Sequence, residues 1–202
     1  MITFHTMEQG SDEWLDIRTE NPFTASEAQA IATGGAGLET LIVKKLSEKY
    51  SKQKESFSNV NTERGKELEP VARTLYSLIT GNDVHEIGFI TNKKYEKAGC
   101  SPDGLVGYDG MVEIKCFEDK KHFLNIIKLK IESQYQWQMQ FQMLIAERNW
   151  NDFVVYNPNF EKEILIQRVE KDEVAHQKLI TGLAIGIKKY KEMEADYLKA
   201  IS

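Results

Sequence analysis

The sequence predicts an α/β (α+β) domain with a central mixed β-sheet flanked by helices. Three observations carry this reading. Apolar stripes at helical spacing recur along the chain, and short apolar runs bounded by turn residues lie between them. The chain also has 202 residues, of which 41% are hydrophobic and 28% charged, enough for one large core without disulfide or structural metal. It is read as a single domain over 1–202.

The first helix opens at Thr24-Ala25-Ser26-Glu27, where Thr24 and Glu27 have capping-box spacing. Ala28, Ile31 and Ala32 follow as its apolar face, and Gly34-Gly35 stops it. A second helix is expected over 38–50. The polar segment Ser51 to Thr62 is linker-like and reads as a mobile surface loop. A third helix is expected over 67–80, with Leu68, Val71, Ala72, Leu75 and Ile79 as its stripe and Gly81 as its stop. Pro70 fits there only in the first turn or at a kink.

Val84 to Thr91 has mixed β character. Asp103–Gly107 and Met111–Cys116 read as strands joined by the hairpin turn Tyr108-Asp109-Gly110. Residues 134–143 alternate polar and apolar, which by period alone means a strand. The stretch 131–147 holds no turn signal and is too long for an ordinary strand, so a helix is expected. Trp137, Phe141, Leu144 and Ile145 then face a core, while Tyr135, Gln138 and Gln142 share another side. Phe153–Tyr156 and Ile164–Val169 form a later strand pair about Asn157-Pro158-Asn159. The tail from Asp172 to Ala200 is one long helix or two short ones.

Composition excludes several classes. No apolar run is long enough to span a bilayer, and the acidic N-terminus has no signal-peptide core. Two cysteines, Cys100 and Cys116, are too few for a four-thiolate cluster and are expected to be reduced in the cytoplasm. The net charge of −5 argues against a simple basic nucleic-acid coat protein, though not against a nuclease. Lysines cluster at 44–54, at Lys93, Lys94 and Lys97, and at Lys120, Lys121, Lys128 and Lys130. Each cluster alone reads as a solvated face. His5, His85, His122 and His176 show no ligand spacing.

The informative stretch is 101–115. Strand residues two apart share a face, so Glu113 and Lys115 project together while Val112, Ile114 and Cys116 face the core. The hairpin sets Asp103 opposite this pair. Two carboxylates so close favour a divalent cation between them, and carboxylate oxygens are what Mg²⁺ prefers. Lysine is no metal ligand, but it can orient a water beside one. Taken alone, an E-x-K pair on a strand is more often a surface charge pair of little worth.

The full spacing decides between these. Pro102-Asp103, nine residues, then Glu113-Ile114-Lys115 is the PD-(D/E)xK nuclease signature. The chain resembles the phage lambda exonuclease group, the YqaJ-like viral recombinases, over about residues 9–160. The resemblance extends to Gln9 through Trp14 with Arg18, to Thr24–Glu27, to Arg64–Glu69 with Ala72–Leu75, and to Ala98–Gly104.

This resemblance implies a restriction-endonuclease-like core. It also implies a Mg²⁺-dependent 5′→3′ exonuclease acting on double-stranded DNA, with two Mg²⁺ per site and Mn²⁺ able to substitute. Asp103, Glu113, Glu69 and the Ile114 carbonyl would be the metal ligands. Lys115 would position the attacking water, with Gln138 and Tyr135 supporting the site. Arg18, Ser26 and Ser101 would hold the 5′-phosphate of the cut strand, and Trp14 would contact the duplex end. The products would be 5′-mononucleotides and a 3′ single strand for an annealing protein. The implied assembly is a ring-shaped homotrimer in the cytoplasm of a bacterial host, from a phage or prophage. The alternatives are an endonuclease on the same core, as in restriction or junction resolution, and a non-catalytic DNA-binding module.

Overall fold

The computed structural model describes residues 1–52 and 60–202. The chain runs β1 (Ile2–His5), α1 (Asp12–Glu20), β2 (Phe23–Thr24), a short 3-10 turn (Ala25–Glu27), α2 (Ala28–Thr33), α3 (Gly35–Tyr50) and α4 (Val60–Thr80). It continues through β3 (Val84–His85), β4 (Phe89–Asn92), β5 (Ala98–Cys100), β6 (Gly104–Val106) and β7 (Gly110–Lys115). The last elements are α5 (Asp119–Lys128), α6 (Ser133–Ala146), β8 (Trp150–Tyr156), β9 (Ile164–Glu170) and α7 (Glu173–Ile201).

The expected α/β architecture is present, with its strands divided between two mixed sheets of order β1-β4-β5-β2 and β3-β6-β7-β8-β9. In the larger sheet β7 and β8 are parallel and the other pairs antiparallel. Helix α6 packs on β4 and β5 of one sheet and on β8 of the other, with α2 and α7 also against it. Residues 139–146 are consequently buried on every side. This placement explains the ambiguous alternation there, because a helix enclosed all round shows no single apolar stripe.

One face of the larger sheet, carrying Met111, Phe153 and Val155, joins the main core with α2, α3, α6 and α7. The other face, carrying Val112, Ile114 and Val154, packs on Ala72 and Tyr76 of α4. The expected split of alternate β7 residues between two sides therefore holds. Helix α7 is a single long helix capped by Asp172, whose carboxylate accepts from the Val174 and Ala175 N–H groups. It crosses α2 closely at Gly182, where a Cβ would come within 1.9 Å of the Ile31 carbonyl oxygen.

Several expectations are corrected. Thr24 does not cap a helix backbone. Its hydroxyl donates to the Glu27 carboxylate, and Ser26 lies in the 3-10 turn instead of the first turn of an α-helix. Pro70 sits well inside α4, which begins at Val60. The buried side of α4 is Ala72 and Tyr76, whereas Val71 and Ile79 are exposed, because only the face toward β7 and β8 is covered. Val84–Thr91 is not one strand. It divides at 86–88 and its halves enter different sheets, with Gly88 so close to Met7 that a Cβ would meet the Met7 carbonyl oxygen at 2.0 Å. Of the loop expected at Ser51 to Thr62, residues 53–59 lie outside the described residues and Val60–Thr62 belong to α4. Strand β1 and helices α1 and α5 were not anticipated as elements.

Candidate active site

The hairpin sets Gly104 opposite Val112, so Asp103 stands level with β7 just before β6 begins. The Asp103 carboxylate takes over the missing ladder bond, its Oδ2 accepting from the Ile114 N–H at 2.6 Å. In a strand the N–H and C=O of one residue point to the same side, so the Ile114 carbonyl is directed to this edge as well.

Glu113 is 1% exposed. Its Oε1 accepts from the Lys115 ammonium and, at 2.6 Å, from the Gln138 amide; its Oε2 accepts from Gln142 at 2.6 Å. Tyr135 lies one turn before Gln138, its ring centroid 5.7 Å from the Lys115 nitrogen and its hydroxyl accepting from Lys121 at 3.1 Å. Glu69 reaches the same region from α4, where Arg73 donates to it at 2.5 Å. Arg73 also donates to the Asp103 carbonyl at 3.1 Å and pairs with Glu86 at 2.7 Å.

The electrostatics follow from three largely buried carboxylates that feel one another's charge. Burial, then Glu113 and Glu69, push the Asp103 carboxyl well above the usual range. Burial also raises Glu69 against the opposing pull of Arg73. Burial works to lower Lys115, but Glu113 and Asp103 outweigh it and hold the amine above its ordinary value, so it stays an ammonium. Among the described residues no three His, Cys, Asp or Glu side chains are gathered as a ready metal cage. The acidic oxygens are engaged instead with Lys115, Arg73, Gln138, Gln142 and the Ile114 N–H.

A second constellation adjoins the first. Strand β2 pairs in parallel with β5, Thr24 beside Gly99, which brings Ser26 and Ser101 out at the same end. The Trp14 indole N–H donates to the Ser101 hydroxyl at 2.9 Å and to the Gly88 carbonyl at 3.1 Å. The Arg18 guanidinium lies 4.4 Å over the Trp14 ring and reaches Thr24 at 3.4 Å, and Thr24 is 3.2 Å from the Ser26 hydroxyl. Burial lowers the Arg18 pKa, with Glu27 and Glu48 pulling it up. Helix α1 supports this group because Ser11 caps it through the Trp14 N–H, one turn before Arg18. Trp14 is half-buried, with its indole N–H already committed to Ser101 and Gly88 and its ring carrying Arg18.

The structure thus brings Asp103, Glu113, Lys115, Gln138, Tyr135 and Glu69 to one place, and Arg18, Ser26, Ser101 and Trp14 to its neighbour. The sequence set Gln142 on the helix side of Tyr135 and Gln138 and put Gln9 and Arg73 in the stretches that resemble the family, but gave none of the three a role at the site. Gln9 donates to the Pro102 and Ile87 carbonyls at 3.1 and 3.0 Å. The only sequence signal for Gln142 was its helical offset of four from Gln138.

The YqaJ-like viral recombinase domain matches residues 13–149. No curated protein sequence matches the chain. The fold is similar to the crystal structure of an alkaline exonuclease (LHK-Exo) from Laribacter hongkongensis, with a TM-score of 0.81 and 33% identity over 94% of this chain and 97% of that one. The same exonuclease in complex with dAMP gives a TM-score of 0.80 at the same identity and coverage. A phage related exonuclease from Haemophilus somnus 129PT shares the fold, with a TM-score of 0.64 and 15% identity over 87% of this chain and 96% of that one. On the domain match and the identity to LHK-Exo, the chain belongs to the YqaJ-like viral recombinase family.

Proposed function

We propose that this chain is a Mg²⁺-dependent exodeoxyribonuclease that degrades one strand of double-stranded DNA from its 5′ end. It releases 5′-mononucleotides and leaves a 3′ single strand for an annealing protein. The observation that carries the reading is the convergence of Asp103, Glu113 and Lys115 beside the Arg18–Ser101 group. Kinship with an alkaline exonuclease captured with a deoxynucleoside monophosphate supports it.

The donor set suits Mg²⁺. Asp103, Glu113 and Glu69 offer hard carboxylate oxygens, the Ile114 carbonyl a fourth, and the burial and neighbouring negative charge that raise Asp103 and Glu69 are what a divalent cation offsets. When bound, two such ions supply water activation and stabilise the departing 3′-oxygen. The chain's own residues do the rest. The Lys115 ammonium orients the attacking water and offsets charge developing at phosphorus. Gln138 aligns the Glu113 carboxylate, and Tyr135 walls the pocket beside Lys115. Arg18, set by the Trp14 ring, grips a terminal phosphate with Ser26 and Ser101.

One subunit, with a radius of gyration of roughly 16–17 Å, is comparable in size to the duplex and cannot surround it. A net charge of −5 gives little electrostatic hold in salt, so continuous digestion requires enclosure, which we assign to a homotrimeric ring working in the cytoplasm of a phage-infected or lysogenic bacterium. The deciding experiment is digestion of linear duplexes that differ only in their 5′-phosphate, with Mg²⁺ and with chelator, alongside a closed circle. Mg²⁺-dependent release of mononucleotides from 5′-phosphorylated ends alone supports the reading. Cutting of the circle points to an endonuclease, and no cutting at all to a non-catalytic module.

A further inference from the structure

Glu113 is held from two sides. Lys115 and Gln138 take its Oε1, and Gln142 donates to its Oε2 at 2.6 Å. Gln142 is oriented in turn, its Oε1 accepting from the Asn151 amide at 2.8 Å. Gln142 and Asn151 are both 0% exposed. Asn151 stands beside Met111 in the β7–β8 register, so it shares the sheet face that carries Glu113. A chain of amides therefore runs from β8 through α6 to the carboxylate on β7.

A side-chain amide has a donor end and an acceptor end. The Asn151 N–H occupies the acceptor end of Gln142, which leaves the donor end for Glu113. Reversed, Gln142 would set its carbonyl against the carboxylate, a repulsive contact in a buried site, and it would meet the Asn151 NH₂ as well unless Asn151, whose Oδ1 has no partner, turned with it. We infer that Gln142 and Asn151 are positioning residues that fix the Glu113 carboxylate for divalent-cation binding, an inference that rests on the nuclease reading above. Neither residue reaches substrate, and both act through Glu113. Partners behind a ligating group, when removed, typically weaken metal binding by 10–100-fold.

The test is an electron paramagnetic resonance titration of the full chain with Mn²⁺, run beside DNA digestion. Gln142→Met keeps the volume and removes the contact to Glu113. Asn151→Leu leaves Gln142 in place and removes what orients it. Asn92→Ala is the matched control, because it deletes a buried amide bond to the same helix, at the Ile145 carbonyl (3.0 Å), away from Glu113. Both relay variants are expected to raise the Mn²⁺ Kd about tenfold or more. They should also lower kcat at limiting metal and leave KM for 5′-phosphorylated duplex unchanged, while Asn92→Ala lowers Tm alone. Wild-type Mn²⁺ affinity in the relay variants, or equal weakening in Asn92→Ala, overturns the relay alone. If Gln142→Met does not fold, Asn151→Leu decides. A wild-type chain that binds no Mn²⁺ and cuts no DNA overturns the nuclease reading and the relay together.

Discussion

In the proposed mechanism Lys115 is the residue on which the chemistry would turn. Its ammonium is held charged by Glu113 and Asp103 despite burial. Removing one such preorganised charge costs about 10²–10³ in kcat. Lys115→Ala should therefore lose that factor in Mg²⁺-dependent digestion while its thermal unfolding stays cooperative. Arg18 makes a different contribution. Arg18→Lys keeps the charge but loses the planar fork and its stacking on Trp14. It should raise KM for 5′-phosphorylated ends severalfold and leave kcat nearly unchanged, as initial rates over a DNA titration will show. At this scale the sequence was informative where chemistry follows a short period. Glu113 and Lys115 lie two apart on one strand, and Asp103 is tied to them by the hairpin. Helical spacing set Gln142 beside Gln138, but the partners of Gln142 and Arg73 lie far along the chain, which no local pattern reveals.

Among the elements, α4 shows how a helix brings a distant acid to the pocket. It carries Glu69, and two turns on Tyr76 anchors it to β8 by donating to the buried Asp152 carboxylate at 2.7 Å. Arg168 closes the arrangement, reaching Asp152 at 2.8 and 2.9 Å while stacked 3.6 Å over Trp150. Burial and Asp152 push the Tyr76 phenol up to about 12. The folded state therefore keeps a proton that the unfolded chain gives up near pH 10, so this contribution to stability is full below pH 10 and lost as pH rises toward 12. Tyr76→Phe should cost about 1–3 kcal/mol at pH 8, by urea midpoint, and the gap to wild type should narrow at pH 11. Helix α4 was only partly legible in the sequence. Its end at Gly81 was plain, and Leu68, Ala72 and Leu75 of its expected stripe do pack toward the sheet, but Val71 and Ile79 are exposed because burial depends on which face β7 and β8 cover. Helix α6 was found by length in spite of its period, since both sheets close over it.

On the scale of the whole molecule, the division into two sheets was not legible, because strands of two to four residues carry no mark of which sheet they join. The proposed ring predicts a trimeric mass by sedimentation at micromolar concentration, and a closed circular duplex left intact under conditions that consume the linear form. The two sheets meet at Ser101-Pro102-Asp103, between β5 and β6. Gln9 pins the Pro102 carbonyl and Arg73 the Asp103 carbonyl. In the proposed function one end of this tripeptide belongs to the group that would grip a terminal phosphate, the other to the group that would break the next linkage. Two peptide steps span at most roughly 7 Å, the length of one or two nucleotides and not of many. On that reading the joint works as a molecular gauge, with the stride of digestion written into covalent length, and a glycine inserted after Ser101 should lengthen or stall that stride before it unfolds the protein.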